Sequence, residues 1–60
     1  MEFVRRGKYY LESKDRKFRV SKAFIAQEAK YTAWRLENRD WISLGYFDDA
    51  SSAIQRCNDD

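Results

Sequence analysis

Histidine and proline are absent from this 60-residue chain, cysteine occurs once and glycine twice. Each shortage excludes a class of protein. One cysteine cannot close an internal disulfide, so a stapled secreted scaffold is ruled out. Without histidine there is no Ser-His-Asp or Cys-His catalytic arrangement, and one thiol cannot build a structural zinc site. Two separated glycines, Gly7 and Gly45, cannot form a Gly-rich phosphate loop. No apolar run approaches the roughly 20 residues that span a bilayer. The opening Met1-Glu2-Phe3-Val4-Arg5-Arg6 lacks the apolar stretch of a signal peptide. A cytoplasmic protein with no cofactor, no metal and no membrane partner is expected, and an enzyme is not.

What remains is apolar enough for one small core. Hydrophobic residues make up 43% and charged residues 37%, so a single domain over residues 1–60 is expected. Aromatics reach 17%, a high share. The net charge is only +2, but it is unevenly laid out. Residues 1–22 hold eight Lys/Arg against three acids, a balance of +5; residues 37–60 hold two against six, a balance of −4. Such polarity points to a basic surface and an acidic end, or to two ends that attract each other across the fold.

Four runs read as strands: Lys8–Glu12, Lys17–Ile25, Lys30–Leu36 and Trp41–Phe47. Lys17-Phe18-Arg19-Val20 alternates charged with apolar, the period-two mark of a half-buried strand. Residues 26–29 break the second run, and Asn38-Arg39 suits a tight hairpin turn. Ala26-Gln27-Glu28-Ala29-Lys30 would also suit a helix over 23–35, but the flanking Phe, Val, Thr and Trp favour strands. After Phe47 the period changes. Ala50, Ala53, Ile54 and Cys57 recur at helical spacing, with Asp48 or Asp49 available as cap. The expected fold is α+β: an antiparallel meander of three to four strands packed on one C-terminal helix, β-β-β-β-α. Residues 1–7 are expected as a flexible arm, its Arg5-Arg6 either contacting phosphate or simply disordered, and 58–60 as a frayed tail. The expected core is Phe18, Val20, Trp34, Leu36, Ile42, Leu44, Phe47, Ala53, Ile54 and Cys57.

Strand parity then nominates a surface, because successive side chains point to opposite faces. With that core inward, Lys17, Arg19, Tyr31, Arg35, Trp41 and Ser43 face away from the helix, joined by Tyr9 or Tyr10. A face of cations interleaved with rings suits nucleic acid, since cations attract phosphates and rings stack on bases. It equally suits a protein partner, because aromatic residues and arginine dominate interface anchors. An antiparallel sheet can also keep such a face wet with no ligand at all. DNA or RNA, a host protein, or a second copy of the chain are the partners to weigh.

The segment from Trp41 to Ala53, with Leu44-Gly45, Phe47, Ala50 and Ala53, resembles the strand-to-helix corner of the plant ethylene-response-factor DNA-binding domain. The same corner occurs in arm-site-binding domains of tyrosine integrases and in domains of phage homing endonucleases. That resemblance implies a sheet that reads DNA through its helix-free face with arginines and tryptophans. Ser43 stands where the family has a tryptophan, and Trp41 where it has an arginine. Physically, Gly45 would permit a bulge that turns Phe47 inward, and the alanines would let the helix approach closely. Tyr9-Tyr10, Val20-Ser21-Lys22, Tyr31-Thr32-Ala33-Trp34 and Leu44-Gly45-Tyr46-Phe47 together resemble small bacteriophage and prophage proteins. That likeness implies an accessory protein in the cytoplasm of a bacterial host.

Overall fold

The computed structural model describes all of residues 1–60. Five strands run in chain order across one antiparallel sheet: β1 (Phe3–Gly7), β2 (Tyr10–Ser13), β3 (Phe18–Ile25), β4 (Glu28–Glu37) and β5 (Asp40–Phe47). One helix, α1 (Ala50–Asn58), follows and packs on β3, β4 and β5, leaving β1 and β2 uncovered. The α+β meander is as expected, with one strand more.

The extra strand is the segment expected to be a flexible arm. Phe3, Val4 and Arg5 pair with Ser13, Glu12 and Leu11. Two arginines followed by glycine are poor strand formers in isolation. Here the open edge of β2 offers the partner groups, and Phe3 packs against the core cluster. The opposite terminus is also held. Asp60 accepts from Arg35 at 2.5 Å and lies 3.4 Å from Arg56, so the last residues are tied to β4 rather than frayed.

Two hairpins fix the register. Ala26 and Gln27 have φ of 51° and 67°; Asn38 and Arg39 have 50° and 71°. Positive φ at both central residues is the two-residue turn whose twist matches the strands it joins. Neither turn contains the glycine that adopts this region freely. The double change Ala26→Asn/Gln27→Gly is therefore expected to stabilise the fold by about 1 kcal/mol, seen as a higher urea midpoint at unchanged slope. A lower midpoint would contradict the turn geometry.

The helix begins where its cap is. Asp49 has extended backbone, and its carboxylate accepts from the Ser52 amide at 2.7 Å. That bond, made to the charged form, holds the Asp49 carboxyl below the usual range. Ala53 and Cys57 then turn inward, one helical turn apart, onto Val20 and Ala33. These four are the fully buried apolar residues. Phe18, Tyr31, Leu44, Phe47 and Ile54 surround them, half-buried. Just before the end of β5, Gly45 has φ of +129° and lies opposite Ala33, while Ser43 lies opposite Trp34. Leu44 is the extra residue between them, so a bulge lets both Leu44 and Phe47 reach the core.

The expected core is wrong in β4. Trp34 and Leu36 lie on the helix-free side, and Ala33 takes the central inward position. The reason is the turn before it. Ile25 pairs with Glu28 across two residues, and that register runs down to Val20 opposite Ala33. Opposed residues share a face, so Ala33 must follow Val20 inward. Packing agrees: an indole under the helix would hold it off the sheet, whereas alanine on both sides brings them into contact. Ile42 does face the helix side, across from Arg35, but stays 39% exposed.

Candidate functional site

The helix-free face centres on Arg19 in β3. Its guanidinium lies over the Trp41 ring at 4.3 Å from the centroid and over the Tyr10 ring at 4.9 Å. Arg19 Nε and Nη2 donate to one oxygen of Glu12, at 3.1 and 2.7 Å. Glu12 lies directly across from Arg19 in β2, so the pair follows from sheet register. Its side chain is 9% exposed although nothing covers this face, because Arg19 and Arg6 close over it. Arg6 Nε lies 3.6 Å from the other carboxylate oxygen. Arg6, Arg16, Arg19, Tyr10 and Trp41 line one shallow groove around that carboxylate. Three cations surround one acid there, so the groove is electropositive.

A second groove continues from the first. It is lined by Tyr9, Tyr10, Arg19, Ser21, Lys22, Trp34 and Trp41. Trp34 is pinned in it by a hydrogen bond from Nε1 to Ser21 Oγ at 2.9 Å. Ser21 sits two residues beyond Arg19 in β3, and the neighbouring pair Arg19–Trp34 brings the indole across. The ring's polar edge is therefore satisfied within the sheet, and what it offers to the groove is its apolar body.

Of the six residues expected on this face, four are placed there. Arg19 and Trp41 touch. Ser43 is exposed opposite Trp34, its hydroxyl accepting from the Gly45 amide at 3.3 Å. Lys17 is exposed immediately before β3, on the parity of Arg19. Tyr31 and Arg35 are not there. With Ala33 inward, both share its face, because they are two residues away on either side. Tyr31 lies opposite Phe47 and packs on the core. Arg35 is a clamp at the helix C-terminus. It donates to Asp60 at 2.5 Å and to Glu37 at 2.7 Å. The Asp60 bond lowers the carboxyl's pKa and raises that of the guanidinium, each favouring the other's charge.

Sequence reasoning missed Glu12, Arg16 and Trp34, and it met Arg6 only as part of a flexible arm able to contact phosphate. Glu12 was legible in principle, since an acid one strand away from Arg19 is the natural cross-strand partner. Trp34 belongs to the expected core in the sequence reading, with Leu36 on the same parity.

Other chemistry is sparse. Cys57 is fully buried, and burial pushes its thiol pKa up, the opposite of an activated nucleophile. No three His, Cys, Asp or Glu side chains come together as a metal site. No helix is long and apolar enough to cross a membrane. Compared with protein-family models, with curated proteins and with solved structures, the chain matches none.

Proposed function

We propose that the chain is a small binding module that takes nucleic acid on the helix-free face of its sheet. The observation that carries this reading is the Arg19 guanidinium stacked on Trp41 and Tyr10, with Arg6 and Arg16 lining the same groove. Cations attract phosphates and release their counterions. Rings and guanidinium planes accept bases. Arg6, Arg16 and Lys17 would meet phosphates; Trp41 and Tyr10 would meet bases; Ser43 would border the contact. In the domains that the 41–53 corner resembles, the same face is the one used. By its separate likeness to small bacteriophage and prophage proteins, the chain would be an accessory protein at work in the host cytoplasm. No catalysis is proposed.

The test is a titration with mixed-sequence DNA and RNA, single- and double-stranded, at low salt. Micromolar or tighter binding is expected, weakening steeply as salt rises. Arg6→Ala and Arg16→Ala are each expected to weaken it and to flatten the salt slope. No binding to any of the four at micromolar protein would reject the reading.

A second reading rests on a different place. At the tip of the β3–β4 hairpin, Phe24 and Ile25 are 59% and 56% exposed, and Phe24 meets the Tyr9 ring edge-on at 6.3 Å. Exposed apolar residues gathered at one tip suit a protein partner or a second copy. Sedimentation that finds a dimer, abolished by Phe24→Ser/Ile25→Ser, would favour it.

A further inference from the structure

Resting on the nucleic-acid reading above, we infer that the face is built for unpaired bases and selects single strands over duplex. The groups that would read a duplex are already engaged. Sequence in a double helix is read from base edges, most often by an arginine presenting two parallel N–H groups to guanine. Arg19 has its Nε and Nη2 turned to Glu12, a carboxylate only 9% exposed and held from the other side by Arg6. That edge faces the sheet. The Trp34 N–H is likewise bonded to Ser21. These two donor edges are therefore satisfied within the protein, while the bodies of the rings still line the grooves.

Those surfaces are fixed before any ligand arrives. Glu12 holds the guanidinium, the guanidinium lies on Trp41 and Tyr10, and Ser21 holds Trp34. Holding rings in place beforehand removes part of the ordering cost of binding. A flat apolar surface can only be matched by another flat surface. In a duplex the base faces are stacked on each other and hidden; in a single strand they are free to turn outward. The flanking cations suit a backbone laid alongside: Arg6 and Arg16 line the groove next to Tyr10 and Trp41.

Both tryptophans of the chain lie on this face, so intrinsic fluorescence reports on it directly. Three probes are titrated against the intact protein at low salt: a short mixed-sequence DNA strand, the same strand annealed to its complement, and an abasic strand of equal length. The single strand is expected to bind at least about tenfold more tightly than either other probe, and to quench tryptophan emission more strongly, because its unpaired bases can stack on the rings. Trp41→Leu is expected to remove most of that advantage. Trp41→Phe, which keeps a ring, should retain part of it and guards against a folding artefact. Equal or tighter binding of the duplex or of the abasic strand would overturn the inference and leave the nucleic-acid reading standing. Binding of none of the three would overturn both.

Discussion

Leucine in place of Ala53 is expected to destabilise the protein more than a change at any exposed position of the helix. Ala53 and Ala33 are both fully buried, one on the helix and one on the sheet beneath it. Three added carbons have no void to enter, so the helix must lift from β4 or side chains must leave their rotamers. Overpacking of this kind costs about 1–3 kcal/mol. A chain of this size has only about 3–9 kcal/mol of total stability. The melting temperature should therefore fall on the order of 10–20 °C. Ser52→Leu, one residue away on the exposed side of the helix, should change stability by less than about 0.5 kcal/mol. Thermal unfolding followed by circular dichroism measures both. An unchanged melting temperature for Ala53→Leu would mean that the helix does not rest on Ala33.

The second large effect is expected at Arg19, and it has two parts. Arg19→Ala removes the guanidinium from Trp41 and Tyr10, takes from Glu12 its two short hydrogen bonds and part of its cover, and leaves Arg6 at 3.6 Å as the remaining cation. Loss of hydrogen bonds to a charged group costs about 1–3 kcal/mol, and water that reaches the uncovered carboxylate keeps the cost toward the lower end. Arg19 is itself a third exposed, so the upper values for fully buried pairs do not apply. Glu12→Ala frees a guanidinium that water can partly reach, so it is expected to cost less. The double variant should cost less than the two single ones added, since each partner matters through the other. Chemical denaturation of the three variants gives the coupling directly. Additive losses would mean that the Arg19–Glu12 pair contributes nothing to the fold. In binding, Glu12→Ala separates two roles for Arg19. If Glu12 acts by holding the guanidinium flat on the rings, its loss weakens single-strand binding even though the surface becomes more positive. Simple electrostatics would strengthen it.

Much of this architecture is local in origin and therefore legible along the chain. The alternation around Phe18 and Val20, the change of period after Phe47, the cap before Ala50 and the glycine that permits the bulge are all short-range signals. They suffice for a meander followed by one helix, and for the shared side of Arg19 and Trp41. The frame of β4 was also within reach. A two-residue turn at Asn38-Arg39 places Leu36 across from Trp41, and opposed residues share a face. Hydrophobic size argued the other way, because Trp34 and Leu36 are the largest apolar side chains in that run. Register overrode size: β4 cannot turn Trp34 inward without breaking its pairing with Val20 and with Trp41 at once.

Composition, periodicity and turn chemistry thus determined, from the sequence by itself, a small α+β domain with a basic, aromatic sheet face. Only the tertiary structure decided that residues 3–7 are a strand, that Arg35 clamps the helix end on the other side of the sheet, and that Glu12, Arg6 and Trp34 belong to the helix-free face. The physical reason is the same in each case. An edge strand, an ion pair across strands and the choice between two frames of one strand depend on partners far away in the chain, and no local pattern records which partner will be there.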